Sequence, residues 1–561
     1  MKITLVGPEI EENLSLRYLA ASLSAAGYSA EIVPLNRTAD FGVVLEYLVA
    51  SAPDLIGLSL AFQWRAKDFF ALAVALRQRG WTGHLTAGGH FGTFACKDIL
   101  EEFPEIDTIC RQESEETLVK LVHAVDAGEN YQSIAGLAFH DRDGNVQLTC
   151  LPELPDVSRL PFPDRRGAPA ACFDHRISPL VGSRGCYANC SFCCIAAWHE
   201  QTLPGKRYRV REPDDIAAEM VAMQKERGIE IFVFHDDNFF LPGHPKNLAR
   251  FNALADALER RGIGKYATVV KARPTDVDRG VFEVLVDRLH CIRCYVGIET
   301  DADAGLKTLQ RWAQSKHNHE AIRIVRELGL YVCFNLLMFD PDTTLDDLER
   351  NIAFIASAGD YPHNFGRVEL YAGTPLLARM QKEGRVRGDW LQWDYDLGSP
   401  EVERVFRMAM RAFHARNFGP DALNNRIMGT RFDLEVARKF HDDVYDPAWS
   451  DEGRRLTQAL ADDTAAALTA IVQRVRTTAL PANNTDDDAF ADDLASTRRA
   501  VEDHIRAGAI RLARTMREAI GQGQPLTDIG DRVATPLQTQ RPSPAEAGRS
   551  LATGEAFLPA R

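Results

Sequence analysis

Residues 181–194 read VGSRGCYANCSFCC and contain four of the eleven cysteines of the chain. Cys186, Cys190 and Cys193 have the spacing C-x3-C-x2-C in a stretch of small and polar residues, where three thiolates can converge on one centre. A cubic iron–sulfur cluster has four irons that each bind a thiolate, so three cysteines leave one iron open to another ligand. The stretch follows a predicted strand, and its spacing favours such a cluster.

Two other interpretations of these cysteines stay open. A zinc site needs a fourth Cys or His at a usable spacing, but Cys194 is adjacent to Cys193 and His199 does not fall in a usual zinc pattern. Burial of the thiols by chance is disfavoured by the Gly, Arg, Asn and Ser residues around them. Both interpretations therefore rank below the cluster.

The α/β alternation around the cysteines predicts a domain over residues 179–390. Six apolar segments alternate with helical segments there, which predicts a partial or full parallel (β/α) barrel. Chemistry in such a fold lies at the carboxyl ends of the strands, where the cysteines fall. The predicted strands lie in the segments SPLVGSRG, IFVFHDD, YATVVKA, CYVGIET, YVCFNLLMF and NFGRVELY.

Residues 1–130 also alternate between strands and single helices, which predicts a doubly wound, Rossmann-like parallel sheet. Ligands of such sheets bind at the carboxyl ends of the strands, where this chain has glycine-rich segments at residues 57–60 and 88–93. No GxGxxG follows the first strand, which argues against a nicotinamide dinucleotide. The glycines could also serve only as tight turns.

The remaining segments connect these domains or follow them. Residues 131–178 predict a hairpin with a turn at Asp143 and Gly144 and then a proline-rich linker. Residues 391–480 predict a helical domain. Residues 481–561 predict an acidic linker, an amphipathic helix and, from about residue 521, a disordered tail.

Composition excludes several classes of function. The formal net charge of −14 and the absence of a basic stripe argue against a nucleic-acid substrate. No segment is long and apolar enough to cross a bilayer and no signal peptide is recognised, so we expect a cytoplasmic protein. An odd number of scattered cysteines argues against a disulfide framework. Cys291 and Cys294 form a C-x2-C without a partner pair and predict half-buried structural thiols at a strand entrance.

Residues 186–193, with an aromatic residue before the last cysteine, resemble the signature of the radical S-adenosylmethionine (SAM) enzymes. A doubly wound domain before this motif resembles the subgroup with an N-terminal cobalamin-binding domain. The resemblance implies that the three cysteines are the catalytic metal ligands of a [4Fe–4S] cluster. It also implies that SAM chelates the open iron and that one electron, from a donor such as flavodoxin or ferredoxin, cleaves SAM to a 5′-deoxyadenosyl radical.

The same resemblance implies contacts with SAM. Segments after the predicted strands carry polar residues in the order that the family shows. The residues implied are Phe192 in the cysteine motif, Asp236 and Asn238 for the methionyl amine, Glu299 for the ribose hydroxyls and Arg311 for the methionyl carboxylate.

Cobalamin contacts are implied for the first domain. No D-x-H-x-x-G is present, so no histidine is offered to the lower cobalt face, which would point toward Gln63, Trp64 or Arg65. The alternative is a sheet that has lost its cofactor and only packs against the barrel. The other residues implied as cobalamin contacts are Gly57, Ser59, Leu60, Gly88, Gly89, His90, Thr93 and Glu113.

The family resemblance predicts a methyltransferase that acts on an unactivated carbon, or on phosphorus, of a small-molecule or peptide natural product. An enzyme with the same cofactors that rearranges, cyclises or oxidises its substrate is the first alternative. A non-catalytic cobalamin or iron–sulfur sensor is the second, and the lack of a DNA-binding element disfavours it. RNA modification would require a basic domain that the sequence lacks.

Overall fold

The computed structural model describes residues 1–61, 63–201, 207–418, 421–481 and 483–522. Two α/β sheets follow each other along the chain, and a helical region covers one face of the second sheet. The predicted fold class is confirmed: a parallel Rossmann-like sheet, a half-barrel and a helical C-terminal region.

The N-terminal sheet has seven strands in the order β2-β1-β3-β4-β5-β6-β7, and β1 to β5 are parallel. Its strands and helices are β1 Ile3–Gly7, α1 Leu14–Ala25, β2 Ala30–Pro34, α2 Phe41–Ser51, β3 Leu55–Ser59, α3 Ala66–Gln78, β4 His84–Gly88, α4 His90–Phe94, α5 Cys96–Glu102, β5 Thr108–Cys110, α6 Glu115–Ala127, β6 Leu137–His140 and β7 Val146–Leu148. Short 3-10 turns lie at Thr38–Asp40 and Gln63–Arg65.

The predicted hairpin is part of this sheet. Strand β6 pairs antiparallel with β5 and with β7, so the first sheet continues to Leu148. The loop between β6 and β7 has five residues, and the Gly144 amide donates to the Asp141 carbonyl. The expectation of a two-residue turn was therefore wrong, although Gly144 does adopt the positive φ of a turn residue.

The second sheet has the order β16-β15-β14-β13-β12-β9-β8 and is parallel apart from the edge strand β8. Its elements are β8 Ala170–Cys172, β9 His175–Leu180, β10 Ser183–Arg184, α7 Cys194–Glu200, β11 Arg209–Val210, α8 Pro213–Arg227, β12 Ile229–Phe234, α9 His244–Arg261, β13 Ala267–Ala272, α10 Arg279–Asp287, β14 Cys291–Val296, α11 Asp303–Thr308, α12 Ser315–Glu327, β15 Tyr331–Phe339, α13 Leu345–Ser357, β16 His363–Arg367 and α14 Pro375–Lys382. A further 3-10 turn lies at Pro274–Asp276.

All six predicted strands are present, and they form a half-barrel because β8 and β16 do not pair with each other. The first of them begins at His175 and pairs with β8, so the second sheet starts within the segment predicted as a linker. That part of the expected boundary was wrong. Strands β8 and β9 form a hairpin in which Ala170 pairs with Ile177 and Cys172 pairs with His175. The proline-rich sequence before this hairpin does not indicate it.

The two faces of the half-barrel bury different partners. On its outer face Phe232 and Phe234 pack in one core with Phe251 of α9. On its inner face Ile231 belongs to a second core that also contains Ile427 from the C-terminal helices. Alternate residues of a strand point to opposite faces, which is why neighbouring strand residues belong to different cores.

The C-terminal region contains the hairpin β17 Val386–Asp389 and β18 Gln392–Tyr395, followed by α15 Pro400–Phe418, α16 Leu423–Phe440, α17 Pro447–Thr477 and α18 Thr485–Ile520. The acidic segment predicted as a linker is the first part of α18. Asp487 is buried there and pairs with Arg404 at 2.8 Å and with Arg474 at 3.1 Å. The predicted disordered tail falls outside the described residues from residue 523 onward. None of the described helices is both long and apolar enough to span a bilayer.

Candidate functional site

The cysteine loop, residues 185–193, begins where the chain turns at the carboxyl end of β9. Strand β10, just before the loop, pairs antiparallel with β11, which follows the loop in the sequence. Gly185 has φ +81°, and a Cβ there would lie 1.8 Å from the Arg207 carbonyl oxygen, so only glycine fits. Its amide donates to Asp237 at 2.9 Å, which fixes the start of the loop against the end of β12.

Backbone contacts hold the loop over the half-barrel. The Ser191 amide donates to the Leu309 carbonyl at 3.0 Å, and its hydroxyl donates to the Thr308 carbonyl at 2.8 Å. The Leu376 amide in turn donates to the Ser191 carbonyl at 2.8 Å. The loop is thereby attached to the end of α11 and the start of α14, with Phe192 half-buried against the barrel core.

The three thiols of the motif differ in their surroundings. Burial raises the pKa of Cys186 to about 11, and burial together with the thiols of Cys194 and Cys190 raises that of Cys193. A guanidinium N–H of Arg311 lies 3.4 Å from the Cys190 sulfur. Since metal ligation requires thiolates, binding of a cluster must release the protons of these thiols.

No three His, Cys, Asp or Glu side chains of the described residues are placed to hold a single metal ion. A cubic cluster makes a different demand, because each thiolate binds its own iron. The three motif cysteines fit that demand by residue type, since thiolates are the usual ligands of iron–sulfur clusters.

Glu299 and Arg311 lie together beside the cysteine loop. Their charged groups are 3.7 Å apart and both side chains are largely buried. Arg311 also donates to the Gly297 carbonyl. Burial raises the pKa of Glu299, and Arg311 and Arg273 oppose that rise. The structure thus brings these two predicted SAM contacts together, and their roles stay predictions.

Asp236 and Asn238 are buried and bonded within the protein. Asp236 accepts from the Gly182 amide at 2.9 Å and from the Ser183 hydroxyl. The side chain of Asn238 donates to the Phe240 carbonyl at 2.7 Å. Their contact with the methionyl amine stays a prediction, and in this structure the Asp236 carboxylate holds the segment before the cysteines in place.

Several residues of this region were missed from the sequence. Asp237 carries the exposed carboxylate between its two buried neighbours. The Tyr187 hydroxyl donates to the buried Asp276, and the Arg273 guanidinium lies 5.5 Å from the Tyr187 ring centroid. The sequence offered two indications of these residues, the aromatic residue after the first cysteine and the arginine after β13. The alternation of buried and exposed side chains in a strand does not extend into the loop after it. It therefore cannot predict which of Asp236 and Asp237 is exposed.

The predicted cobalamin contacts lie along the carboxyl edge of the N-terminal sheet, with one exception. Gly89 has φ +101°, and a Cβ there would lie 2.9 Å from the Leu60 carbonyl. Leu60 accepts backbone hydrogen bonds from Phe91 and Gly92, so the ends of β3 and β4 form one edge. Ser59 and Gly88 are register partners on these strands. Gly57 is the exception, since it lies in the middle of β3.

The three residues predicted for the lower cobalt face separate in the structure. Arg65 donates to the carbonyls of Leu35 and Asn36, so its charge faces the loop after β2, and its place at the lower cobalt face stays a prediction. Gln63 donates to the Trp390 carbonyl at 3.2 Å, which ties this edge to the barrel domain.

Unsatisfied polar atoms cluster at the same edge. The side-chain oxygens of Gln63 and Gln112 and the indole nitrogens of Trp64 and Trp198 are buried and have no hydrogen-bond partner among the described residues. Buried polar groups normally have hydrogen-bond partners. A polar ligand bound at this edge would supply partners for these four atoms. This feature fits a cofactor rich in polar groups, such as cobalamin.

Glu113 joins the two domains and does not face an open edge. Its carboxylate accepts from Arg184 at 2.8 Å and from Arg209, both in the short strands beside the cysteine loop. The side chain is 5% exposed. The role of Glu113 as a cobalamin contact stays a prediction, and in this structure its oxygens accept from two guanidinium groups.

Two further predicted contacts complete this junction. The rings of His90 and Trp198 are 4.6 Å apart, and burial lowers the pKa of His90. The Thr93 hydroxyl donates to the Gly89 carbonyl and accepts from the Gln112 amide, each at 2.9 Å. The N-terminal edge is thus packed directly on α7, the helix that follows the motif cysteines.

The comparisons with known proteins agree with this arrangement. Residues 3–122 match the B12 binding domain and residues 180–355 match the Radical SAM superfamily. The chain is a B12-binding radical SAM protein. Cobalamin, SAM and a [4Fe–4S] cluster are typical of this family.

Curated relatives of this B12-binding radical SAM protein have different activities. It is 28% identical over 306 residues to the anaerobic magnesium-protoporphyrin IX monomethyl ester cyclase of Cereibacter sphaeroides, which covers 53% of this chain and 47% of the cyclase. It is 24% identical to an uncharacterized methyltransferase of Pyrococcus horikoshii, over 67% of this chain and 82% of that protein. The chain therefore spans about half the length of the first relative.

A solved structure shows the same fold. The cobalamin-dependent SAM radical enzyme OxsB with aqua-cobalamin and SAM bound superposes with a TM-score of 0.65 at 16% sequence identity, over 95% of this chain and 82% of OxsB. The C-terminal helices are thus part of the shared fold.

Cys291 and Cys294 lie within β14 and are fully buried, not half-buried at its entrance. Burial raises the pKa of Cys291 to about 12 and also raises the pKa of Cys294. Such thiols are inert as metal ligands, which agrees with the structural role expected for them.

Proposed function

We propose that this protein is a cobalamin-dependent radical SAM enzyme that transfers a methyl group to an unactivated carbon, or to phosphorus, of a small-molecule or peptide natural product. The main support is the position of the cysteine loop, which lies between the carboxyl edge of the N-terminal sheet and the inner face of the half-barrel. Methyl transfer is supported by matched proteins with methyltransferase names.

The bound cofactors would supply a carbon radical that removes a substrate hydrogen and a methyl group that replaces it. The residues of the chain bind and orient these groups. The three motif thiolates would hold the cluster. Arg311, fixed by the Gly297 carbonyl and by Glu299, offers a planar set of donors beside Cys190 that suits a carboxylate.

Anaerobic reconstitution with iron, sulfide and hydroxocobalamin tests this proposal. We expect the optical spectrum to contain both a cluster and cobalamin. After addition of SAM and a strong reductant, we expect 5′-deoxyadenosine and S-adenosylhomocysteine. A protein that forms neither product would be a sensor and not an enzyme. The matched control lacks the three motif cysteines and should bind cobalamin but form no 5′-deoxyadenosine.

Radical cyclisation, rearrangement or oxidation is the second candidate, favoured by the match to a cyclase. It predicts 5′-deoxyadenosine without S-adenosylhomocysteine, and that result would refute methyl transfer. We also propose that the reductant is a flavodoxin or a ferredoxin. Replacing the chemical reductant by reduced flavodoxin should sustain formation of 5′-deoxyadenosine, and failure with both proteins would refute this partner.

A further inference from the structure

Lys271 is a basic residue on the inner face of the half-barrel. In β13 its neighbours Val270 and Ala272 belong to the core under the outer helices. Val269, two residues earlier, belongs to the core formed with the C-terminal helices. Because side chains alternate along a strand, Lys271 shares the inner face with Val269.

A row of polar side chains lies at this level. Lys271 is the register partner of Tyr295, and Tyr295 is the register partner of Cys333. On the other side, the residue after the β12 end is His235, whose ring is 3.2 Å from the carboxylate of Glu11 in the N-terminal domain. The row therefore reaches from β15 to the domain interface.

The position of this row separates two parts of the half-barrel. Nearer the amino ends of the strands, Ala267 and Val269 belong to one buried apolar cluster with Ile427 of α16 and Met516 of α18, which forms an apolar floor. At the carboxyl ends lies the cysteine loop. Lys271 stands between the apolar floor and the loop, the place where a reactant would meet a radical formed at the loop.

The ammonium of Lys271 has no hydrogen bond or ion pair with any described residue. The charges that act on it are those of Asp237, Asp236, Glu11 and Arg293. The three carboxylates have other partners: Asp237 accepts from Gly185, Asp236 from Gly182 and Ser183, and Glu11 pairs with His235.

A cation at such a depth is costly without a partner. Burial lowers the pKa of Lys271, and the nearby carboxylates oppose that change without reaching bonding distance. An unpaired buried charge is destabilising and is usually compensated by an opposite charge. The side chain is partly accessible, so a ligand inside the half-barrel can reach it.

We propose that Lys271 binds an anionic group of the substrate, a carboxylate or a phosphate-type group, inside the half-barrel. This inference rests on the proposed function, because it places the substrate below the cysteine loop. It assigns the substrate to acidic small molecules or acidic peptides. A neutral hydrocarbon substrate would leave the ammonium unpaired.

Chemical labelling of the reconstituted holoenzyme tests this proposal without variants. With SAM bound and no reductant added, lysines are amidinated with ethyl acetimidate and quantified by peptide mass spectrometry. We expect inorganic phosphate or formate to slow labelling of Lys271 at least threefold relative to sodium chloride of equal ionic strength. Lys265, an exposed lysine just before β13, is the internal control and should not change.

The pattern of protection identifies the anion. Protection by phosphate alone indicates a phosphate-type group, and protection by formate alone indicates a carboxylate. No protection by either anion overturns the proposal. Protection by SAM alone, with no further effect of the anions, also overturns it, because the ammonium would then serve the cofactor.

A second measurement uses Lys271→Met and Lys265→Met. Stabilisation of the holoenzyme against heat by the protecting anion should be lost in the first variant and kept in the second. Equal stabilisation of both variants contradicts the proposal. Formation of 5′-deoxyadenosine by the unmodified enzyme is measured on the same preparation. An enzyme that cleaves SAM but shows no protection refutes only the substrate assignment, whereas one that cannot cleave SAM refutes the proposed function.

Discussion

Replacing Glu113 by glutamine removes the charge that joins the two domains and keeps the shape of the side chain. Breaking one partner of a buried ion pair costs about 3–5 kcal/mol. In the variant, Arg184 still has its ion pair with Glu115 at 2.7 Å, and Arg209 still donates to the Pro155 carbonyl. These remaining partners place the expected cost at the lower end, about 3 kcal/mol.

Hydrogen exchange measures this cost locally. A loss of about 3 kcal/mol corresponds to roughly 100-fold faster exchange for amides that are exposed when the junction opens. We expect this acceleration in residues 183–184 and 209–210. The control is Glu116→Gln in α6, the helix that begins just after Glu113, because the exposed pair of Glu116 with Lys120 is expected to contribute less than about 0.5 kcal/mol.

A different outcome would refute this reasoning. If Glu113→Gln exchanges like the unmodified protein but binds hydroxocobalamin at least tenfold more weakly, Glu113 is a cofactor contact and not a domain tie. The junction should also depend on pH. Burial opposes ionisation of Glu113, but Arg184 and Arg209 lower its pKa below the usual value. Its contribution is therefore present above about pH 4.5 and is lost as pH falls through the lowered pKa, an effect that the glutamine variant should lack.

Three further predictions concern other parts of the chain. Alanine at any motif cysteine should abolish cluster absorbance after reconstitution, whereas Cys194→Ala should keep it, and equal loss would show that four thiols are needed. Asp236→Asn weakens the contact with Ser183 and should lower iron content more than SAM affinity, and the reverse result would favour a SAM contact. Asp433, which accepts from the Cys172 thiol at 3.3 Å, has its pKa raised by burial to about 7. The native state then binds the extra proton, so stability should fall by up to about 1.4 kcal/mol per unit as pH rises from about 4 to 7. Denaturant midpoints should show no such slope in Asp433→Asn, and a slope that persists would contradict the assignment.

The order of strands and the place of the cysteine loop could be predicted from the sequence. The six barrel segments are strongly apolar and are separated by helical periodicity, so their local pattern and the global fold agree. The junction could not be predicted, because Glu113 and Arg184 are 71 residues apart and ion pairs leave no periodic signal. The family resemblance placed Glu113 among the cobalamin contacts at this edge, but it gave no indication of the arginines that pair with it.

Two other features of the sequence could be interpreted only with the fold. The acidic start of α18 has the composition of a linker, yet its carboxylates favour a helix N-terminus and Asp487 pairs with Arg404 and Arg474 from distant helices. Asp236 and Asp237 are chemically alike, and only the fold decides which one is buried. Lys271 was not singled out, because a single lysine in an apolar strand becomes informative only when its face of the sheet is known.

The floor of the half-barrel sets a limit on reactant size. Ile427 and Met516 belong to the buried cluster that includes Ala267 and Val269 near the amino end of β13, so side chains far away in the sequence help to close this end of the half-barrel. Replacing Ile427 by alanine would lengthen the space inside the half-barrel without removing any polar group. Residues of the C-terminal helices thus limit the length of this space. Variants intended to accept longer reactants should therefore begin with these residues.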